Sequence, residues 1–305
     1  MNADTSQNSS ERRWLIFSAW VSIILISDLP DIICNSVFGK VPAMLLWTKA
    51  GFMVLFLGLC FTWKSLRLLR PYALVMCVFY AALTASEWLR SSGWWANIIS
   101  DKIRPSFTLM YLKPFLRDIG VTLAVIAALW VVKRRRSGFF LIKGQLDAPI
   151  EPVRWLGIRT GESWRTFGWI FALVAALAVT VPTLLAMKPT ADEFLRVAPL
   201  IPAILLYSAI NAFNEEMYFR ATLLSTLPQV IGKNQALLIN VAFFGLAHYL
   251  YGSPPGVVGF MMTGFLAFLL GKSMLETKGF VWPWFIHFLP DVVIFFSYAV
   301  AWVRQ

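Results

Sequence analysis

The stretch Asn214-Glu215-Glu216-Met217-Tyr218-Phe219-Arg220 places two carboxylates and a guanidinium within an otherwise apolar segment. Residues 197–213, directly before it, are apolar apart from Tyr207, Ser208 and Asn211. Ionisable groups at membrane depth are costly and rare, and they mark functional sites by default. The stretch therefore indicates a site inside a membrane-spanning helix.

On a helix, Glu216 and Arg220 stand four residues apart and can pair on one face. Glu215 points about 100° away from that face. The spacing predicts that Arg220 holds Glu216 while Glu215 is available for chemistry. A buried structural ion pair, with one residue at the membrane–water boundary, explains the same stretch. The stretch alone leaves both interpretations open.

The composition predicts an all-α membrane protein with several spans. The chain has 305 residues, of which 58% are hydrophobic and 14% charged. The net charge of +11 comes from basic residues in short stretches between apolar runs, as the positive-inside rule expects. We therefore expect the lipid bilayer, and no nucleic acid, as a partner. The three cysteines show no CxxC spacing and imply neither a disulfide framework nor a zinc site.

The apolar runs predict a polytopic transmembrane helix bundle of about eight or nine spans. The runs are 14–27, 41–63, 71–89, 115–132, 168–187, 197–227, 236–251, 256–275 and 280–303. Residues 1–136 are expected to form an N-terminal transmembrane bundle of unassigned role. Residues 137–166 are expected to form a cytoplasmic or interfacial linker, and residues 167–305 the bundle that carries the chemistry.

Both histidines of the chain lie in apolar segments of this second half. At about 1.5 Å per residue from the cytoplasmic side, Glu215 and His248 lie roughly 18 Å deep. His287 and Asp291, which share a helix face, lie roughly 13 to 20 Å deep. Independent packing residues would not need to share one depth, so the pattern favours a joint site on three helices.

Two kinds of chemistry fit these four side chains. A buried Glu within reach of a His can activate a water molecule. Alternatively Glu215, His248, His287 and Asp291 could hold a divalent metal such as zinc. The chain has no HExxH motif, and its two histidines fall on different helices. We therefore expect no metal cofactor and keep zinc as the alternative.

Three motifs occur in order on three hydrophobic segments. They are Glu215-Glu216-x-x-x-Arg220, Phe244-x-x-x-His248 and His287-x-x-x-Asp291. Over roughly residues 150–303 the chain resembles the CPBP or Abi intramembrane proteases, the family of CAAX prenyl proteases and bacteriocin-processing enzymes. The resemblance implies peptide-bond hydrolysis within the membrane by a water molecule that a glutamate and a histidine activate.

Carried over to this sequence, the resemblance implies that Glu215 is the base and His248 its partner. It places His287 and Asp291 on the oxyanion side. The supporting residues are Glu216, Arg220 and Phe244. In prenyl-protein members the third motif commonly ends in Asn, whereas here it ends in Asp291. An ionised Asp cannot donate to an oxyanion, so Asp291 either stays protonated or orients His287.

The sequence thus predicts a glutamic-type intramembrane endopeptidase that acts on a membrane-associated protein or peptide. The alternative is a non-catalytic membrane protein of the same fold, acting in bacteriocin immunity or complex assembly. We expect an integral protein of a bacterial inner membrane with a cytoplasmic N-terminus.

The distribution of basic residues predicts that the turn around Lys233 faces the cytoplasm. The test is labelling of a Lys233→Cys variant, made without the three native cysteines, with a thiol reagent that does not cross membranes. We expect labelling in inside-out vesicles and little in intact cells. Labelling of intact cells would overturn the orientation and the depths derived from it.

Overall fold

Helices dominate the computed structural model, which describes residues 9–98, 106–252 and 254–305. These ranges contain no β-strand. They contain two isolated β-bridges, which pair Pro149 with Ser163 and Val153 with Ile158. The all-α class predicted from composition is therefore confirmed.

Fourteen α-helices follow one another along the described chain. They are α1 Ser9–Ile26, α2 Leu29–Phe38, α3 Met44–Thr62, α4 Arg70–Arg90, α5 Gly93–Ile98, α6 Phe107–Lys133, α7 Trp164–Met187, α8 Ala191–Val197, α9 Ile201–Glu215, α10 Thr222–Thr226, α11 Pro228–Ile231, α12 Lys233–Tyr251, α13 Val257–Thr277 and α14 Val281–Val303. A π-helical turn, Glu216–Ala221, joins α9 to α10. Short 3₁₀ turns are Lys64–Leu69, Arg136–Phe139, Arg154–Leu156 and Ala198–Leu200.

Seven helical segments of the described residues are long and apolar enough to cross a membrane. An eighth arises if α1 and α2, which meet at a 43° bend, form one broken span. The polytopic bundle is thus confirmed, with seven or eight candidate spans where about eight or nine were predicted. The predicted span at 236–251 exists as α12 but is not among these segments, because polar residues at its start and histidine near its end make it less apolar.

Two stretches outside the predicted spans are helical. Residues 188–196 hold α8, which begins with a capping box between Thr190 and Glu193. The span predicted to start at residue 115 begins at Phe107, with Pro114 inside α6. Proline is tolerated in transmembrane helices when neighbouring groups satisfy the backbone.

Contacts divide the chain into two compact units, each assembled from separate segments. The first unit comprises Met1–Ala85, Ala124–Phe139 and Tyr218–Gly271, and the second comprises Ser86–Leu123, Phe140–Met217 and Lys272–Gln305. The predicted division into residues 1–136, 137–166 and 167–305 concerns roles along the chain and stays a prediction.

In the first unit, a cluster of three charged side chains stabilises the break between α1 and α2. Lys49 on α3 is 5% exposed, lies 3.4 Å from Asp28 and forms an ion pair with Asp31. Tyr80 on α4 donates to the carbonyl of Ile26 at the end of α1. A cavity of about 330 Å³ adjoins this group and has aromatic walls. Asp28 and Asp31, which follow the first apolar run, are therefore paired with Lys49 inside the unit.

In the second unit, the loop after residue 140 fixes the start of α14. The backbone N–H of Phe280 donates to Ile142 at 2.9 Å, and that of Gln145 donates to Thr277 at 2.8 Å. The indole of Trp282 donates to Leu146 at 3.0 Å. These bonds hold the turn between α13 and α14, so they set where α14 enters the bundle.

Aromatic side chains then pack α6 against both α9 and α14. Tyr111 and Phe115 of α6 contact Tyr207 of α9 and Phe295 of α14. The Tyr207 hydroxyl also donates to the carbonyl of Thr108 at 2.5 Å. Phe115, Tyr207 and Phe295 are buried, and Tyr111 is partly buried against them. This packing makes α6 part of the support for the two helices that bear the first and third motifs.

Close contact between α7 and α14 depends on Gly168. A β-carbon at this position would overlap the ring of Trp282, whereas one at Gly120 of α6 would meet nothing within 4 Å. Gly168→Ala should therefore destabilise the protein, since overpacking costs about 1–3 kcal/mol. Gly120→Ala should be neutral or slightly stabilising, because Ala is more favourable than Gly in a helix interior by about 1 kcal/mol. The measurement is the thermal unfolding midpoint of both variants in detergent, and equal midpoints would contradict this account of the contact.

Candidate functional site

The first motif lies where an α-helix changes into a π-helical turn. Helix α9 ends at Glu215, and the π turn begins at Glu216. Single π turns inside α-helices are rare and frequent at functional sites. The extra residue per turn changes the direction of side chains at this point. The two glutamates therefore sit at the most irregular position of the helix.

His287 of α14 hydrogen-bonds to Glu216 and lies close to Glu215. Its Nδ1 lies 2.8 Å from Glu216 Oε1, and its Nε2 lies 3.5 Å from Glu215 Oε2. Asp291, one turn later on α14, has Oδ1 3.8 Å from the same Nε2. The imidazole thus has one nitrogen on Glu216 and the other directed at Glu215 and Asp291. The third motif meets the first within one unit, as their shared depth predicted.

Asn211 links Glu215 and Asp291 from another side. Its Nδ2 lies 3.2 Å from Glu215 Oε1 and 3.1 Å from Asp291 Oδ2. One amide nitrogen with two hydrogens can serve both carboxylates. Glu215 and Asp291 are therefore held between an amide and an imidazole. The signal in sequence was the spacing of four residues between Asn211 and Glu215 on α9.

Helix α6 brings further polar groups to the cluster. Thr122 Oγ1 lies 2.6 Å from Asn214 Oδ1, and both residues are 2% exposed. Asp118, one turn before Thr122, interacts electrostatically with Glu215. Sequence reasoning missed both α6 residues, because no motif marks them and their contacts span more than ninety positions.

The tryptophan before His287 ties α14 to α9. The indole of Trp284 donates to the carbonyl of Ala209 at 3.0 Å. This bond lies within one turn of both His287 and Asn211. It fixes the register between the two helices, on which the distances in the cluster depend.

The second motif lies in the first unit, on α12. His248 Nδ1 lies 2.9 Å from the carbonyl oxygen of Phe244. The fully buried guanidinium of Arg220 stands over the Phe244 ring, 3.7 Å from its centroid. A cation over an aromatic face is stabilised by the ring quadrupole. Phe244 therefore supports both the histidine of its own motif and the arginine of the first.

The predicted pairs Glu215 with His248 and Glu216 with Arg220 each join residues of different units, and both stay predictions. Within the second unit, the Glu216 side chain hydrogen-bonds to His287. The placement of His287 and Asp291 on the oxyanion side stays a prediction. In the structure the His287 ring lies 2.8 Å from Glu216 and 3.5 Å from Glu215.

Among residues 9–98, 106–252 and 254–305, no group of three or more His, Cys, Asp or Glu side chains is arranged to hold a metal ion. Within the second unit, His287 already directs Nδ1 to Glu216. The arrangement offers paired acid–base groups, and the zinc alternative is left to experiment.

Comparison with known proteins agrees with the motifs. Residues 197–293 match the family model described as Type II CAAX prenyl endopeptidase Rce1-like. The chain carries a CPBP-family segment. The match contains all three motifs, so the predicted resemblance is confirmed. No curated protein and no solved structure matches the chain. The matched segment is of a family of intramembrane proteases. The chain is an integral membrane protein, with seven or eight candidate spans among its described residues.

Asn211 should matter for stability as well as for geometry. Asn211→Leu removes the donor that Glu215 and Asp291 share, and a buried acceptor left unpaired costs about 1–3 kcal/mol or more for a charged group. Ser208→Ala, on the same helix, removes one bond to the Ile204 carbonyl. We expect a clearly lower thermal midpoint for Asn211→Leu than for Ser208→Ala. If the two midpoints fall equally, Asn211 does not hold the carboxylates together.

Proposed function

We propose that this CPBP protein is an intramembrane endopeptidase that hydrolyses a peptide bond of a membrane-associated protein or peptide. The observation that carries the proposal is the cluster in which His287 contacts Glu215 and Glu216, with Asp291 one turn away. Carboxylates and an imidazole within hydrogen-bond reach are what general acid–base hydrolysis requires.

Glu216 acts as the orienting group. It is fully buried and lies 2.8 Å from Nδ1 of His287. A carboxylate that accepts Nδ1–H fixes the tautomer and direction of a histidine. The other ring nitrogen, Nε2, is then presented to Glu215 and Asp291.

Glu215 acts as the base that activates water. Its side chain is 22% exposed, against 0% for Glu216, 5% for His287 and 7% for Asp291. It is therefore the most exposed of these four side chains, as a base that must meet a water molecule and a substrate requires. His248 stays its predicted partner on the strength of the second motif.

The reaction conserves protons within the cluster. Glu215 takes a proton from water as the water oxygen bonds to the carbonyl carbon, and the carbonyl electron pair moves to its oxygen. When the tetrahedral intermediate collapses, the carbon–nitrogen bond breaks. The leaving nitrogen takes back the proton from Glu215. The products are a carboxylic acid and an amine, and no covalent enzyme intermediate forms.

The substrate is a protein or peptide at the membrane, as the family suggests. Asp291 replaces the Asn that prenyl-protein members commonly have. The resemblance therefore does not imply a prenylated protein as the substrate. We expect the cleaved protein to be identified by comparing the peptides of cells that carry the active and the inactive enzyme.

The proposal is tested by Glu215→Gln, which keeps the size of the side chain but removes the base. Peptides in the membrane and secreted fractions are compared between cells with the wild-type protein, Glu215→Gln or the control Glu87→Gln. Glu87 forms an exposed ion pair with Arg90. We expect at least one processed product that falls about 100-fold or more in Glu215→Gln, since general base catalysis contributes that much.

Two results decide against hydrolysis. One is a set of peptides that is identical for all three proteins when they accumulate equally. The other is a phenotype of a deletion strain, such as sensitivity to a bacteriocin, that Glu215→Gln complements fully. Either would favour the non-catalytic alternative.

A further inference from the structure

The side chain of Asn214 carries a hydrogen-bond donor that nothing in the described structure uses. Asn214 directly precedes Glu215 and is 2% exposed. Its Oδ1 lies 2.6 Å from Thr122 Oγ1, whereas its buried Nδ2 has no hydrogen-bond partner among the described residues. The large majority of buried side-chain polar atoms are paired, so an exception of this kind needs an explanation.

Thr122 holds the Asn214 amide by its oxygen end. The Thr122 hydroxyl has one hydrogen, and Asn214 Oδ1 at 2.6 Å is a nearer acceptor for it than the carbonyl oxygen of Asp118 at 3.0 Å. Aromatic contacts between α6 and α9 keep the two helices together. An amide held at Oδ1 presents Nδ2 in a fixed direction. Such a preorganised donor needs no rearrangement when an acceptor arrives.

Hydrolysis of a peptide bond needs a hydrogen-bond donor to the oxyanion. The donor groups of the cluster other than Asn214 already have acceptors. Asn211 gives its amide hydrogens to Glu215 and Asp291. His287 directs Nδ1 to Glu216 and Nε2 to two carboxylates. An ionised Asp291 accepts but cannot donate. The unused donor nearest in sequence to the base is Nδ2 of Asn214.

We propose that Asn214 is a catalytic residue that donates an Nδ2–H hydrogen bond to the oxyanion, and that Thr122 is its positioning residue. This inference rests on the proposed function. As the water oxygen bonds to the carbonyl carbon, the carbonyl electron pair moves to its oxygen, and that oxygen accepts the bond from Asn214. No proton leaves Asn214, and the bond weakens again as the carbonyl re-forms.

This assignment gives the N-terminal half of the chain a part in catalysis. Thr122 lies on α6, far outside residues 197–293 that match the family model. The donor itself lies one position before the two glutamates, inside the matched segment.

The test uses a quenched fluorescent version of the peptide whose cleavage depends on Glu215 in the comparison above. Four variants in detergent are measured for kcat and KM per folded protein: Asn214→Leu, Thr122→Val, Thr122→Ser and the control Thr84→Val. Thr84 is buried on α4, and its hydroxyl bonds to the Tyr80 carbonyl of the same helix. Thr84→Val therefore repeats the loss of a buried hydroxyl without touching the cluster.

We expect Asn214→Leu to lower kcat about 10²–10³-fold, as removal of one oxyanion donor does, with KM little changed. Thr122→Val should lower kcat by less, because the amide is still present but no longer held. Thr122→Ser, which keeps the hydroxyl, should restore kcat, and Thr84→Val should leave it unchanged. If Asn214→Leu does not fold, the comparison of kcat between Thr122→Val and Thr122→Ser tests the inference, since both of these variants retain Asn214.

The inference is overturned if Asn214→Leu keeps the wild-type kcat, if Thr122→Val and Thr122→Ser have equal kcat, or if the variants change KM alone. In each case a loss of activity in Glu215→Gln would leave the proposed hydrolysis intact. If no peptide depends on Glu215, the proposed function fails and the role of Asn214 fails with it.

Discussion

The contact between Glu216 and His287 is the interaction on which the rest of the cluster depends. An ionised carboxylate buried without a partner costs several kcal/mol, so a fully buried glutamate needs a donor. His287 supplies one through Nδ1, at 2.8 Å. The same bond turns Nε2 toward Glu215 and Asp291. One interaction thus gives a buried carboxyl group a hydrogen-bond partner and orients the groups that would carry out hydrolysis.

Several parts of the second unit preserve that contact. The loop after residue 140 fixes the turn before α14, and Trp284 fixes the register of α14 against α9. Aromatic packing holds α6 against both helices. The π turn lets Glu216 leave the regular path of α9. Each of these features acts on the relative position of α9 and α14, so a change in any of them should change the distances around His287.

The sequence predicted the helical class, most span positions and the three motifs, because apolar runs and ionisable residues at membrane depth are visible without structure. Its prediction that His287 and Asp291 meet the first motif came from shared depth alone. Spacing along a helix points to partners four residues apart, so it did not predict the contact between His287 and Glu216, which lie on different helices. Thr122 and Asp118 could not be found, since their contacts depend on how α6 packs.

The central claim is that carboxylates and an imidazole activate water without a metal ion. It is tested most directly by the activity of purified protein after exhaustive treatment with a chelator, with its metal content measured on the same sample. The account predicts unchanged turnover when zinc and iron are far below one ion per chain. Activity that disappears with the metal and returns in proportion to added zinc would contradict it, and would make Glu215, His248, His287 and Asp291 metal ligands instead.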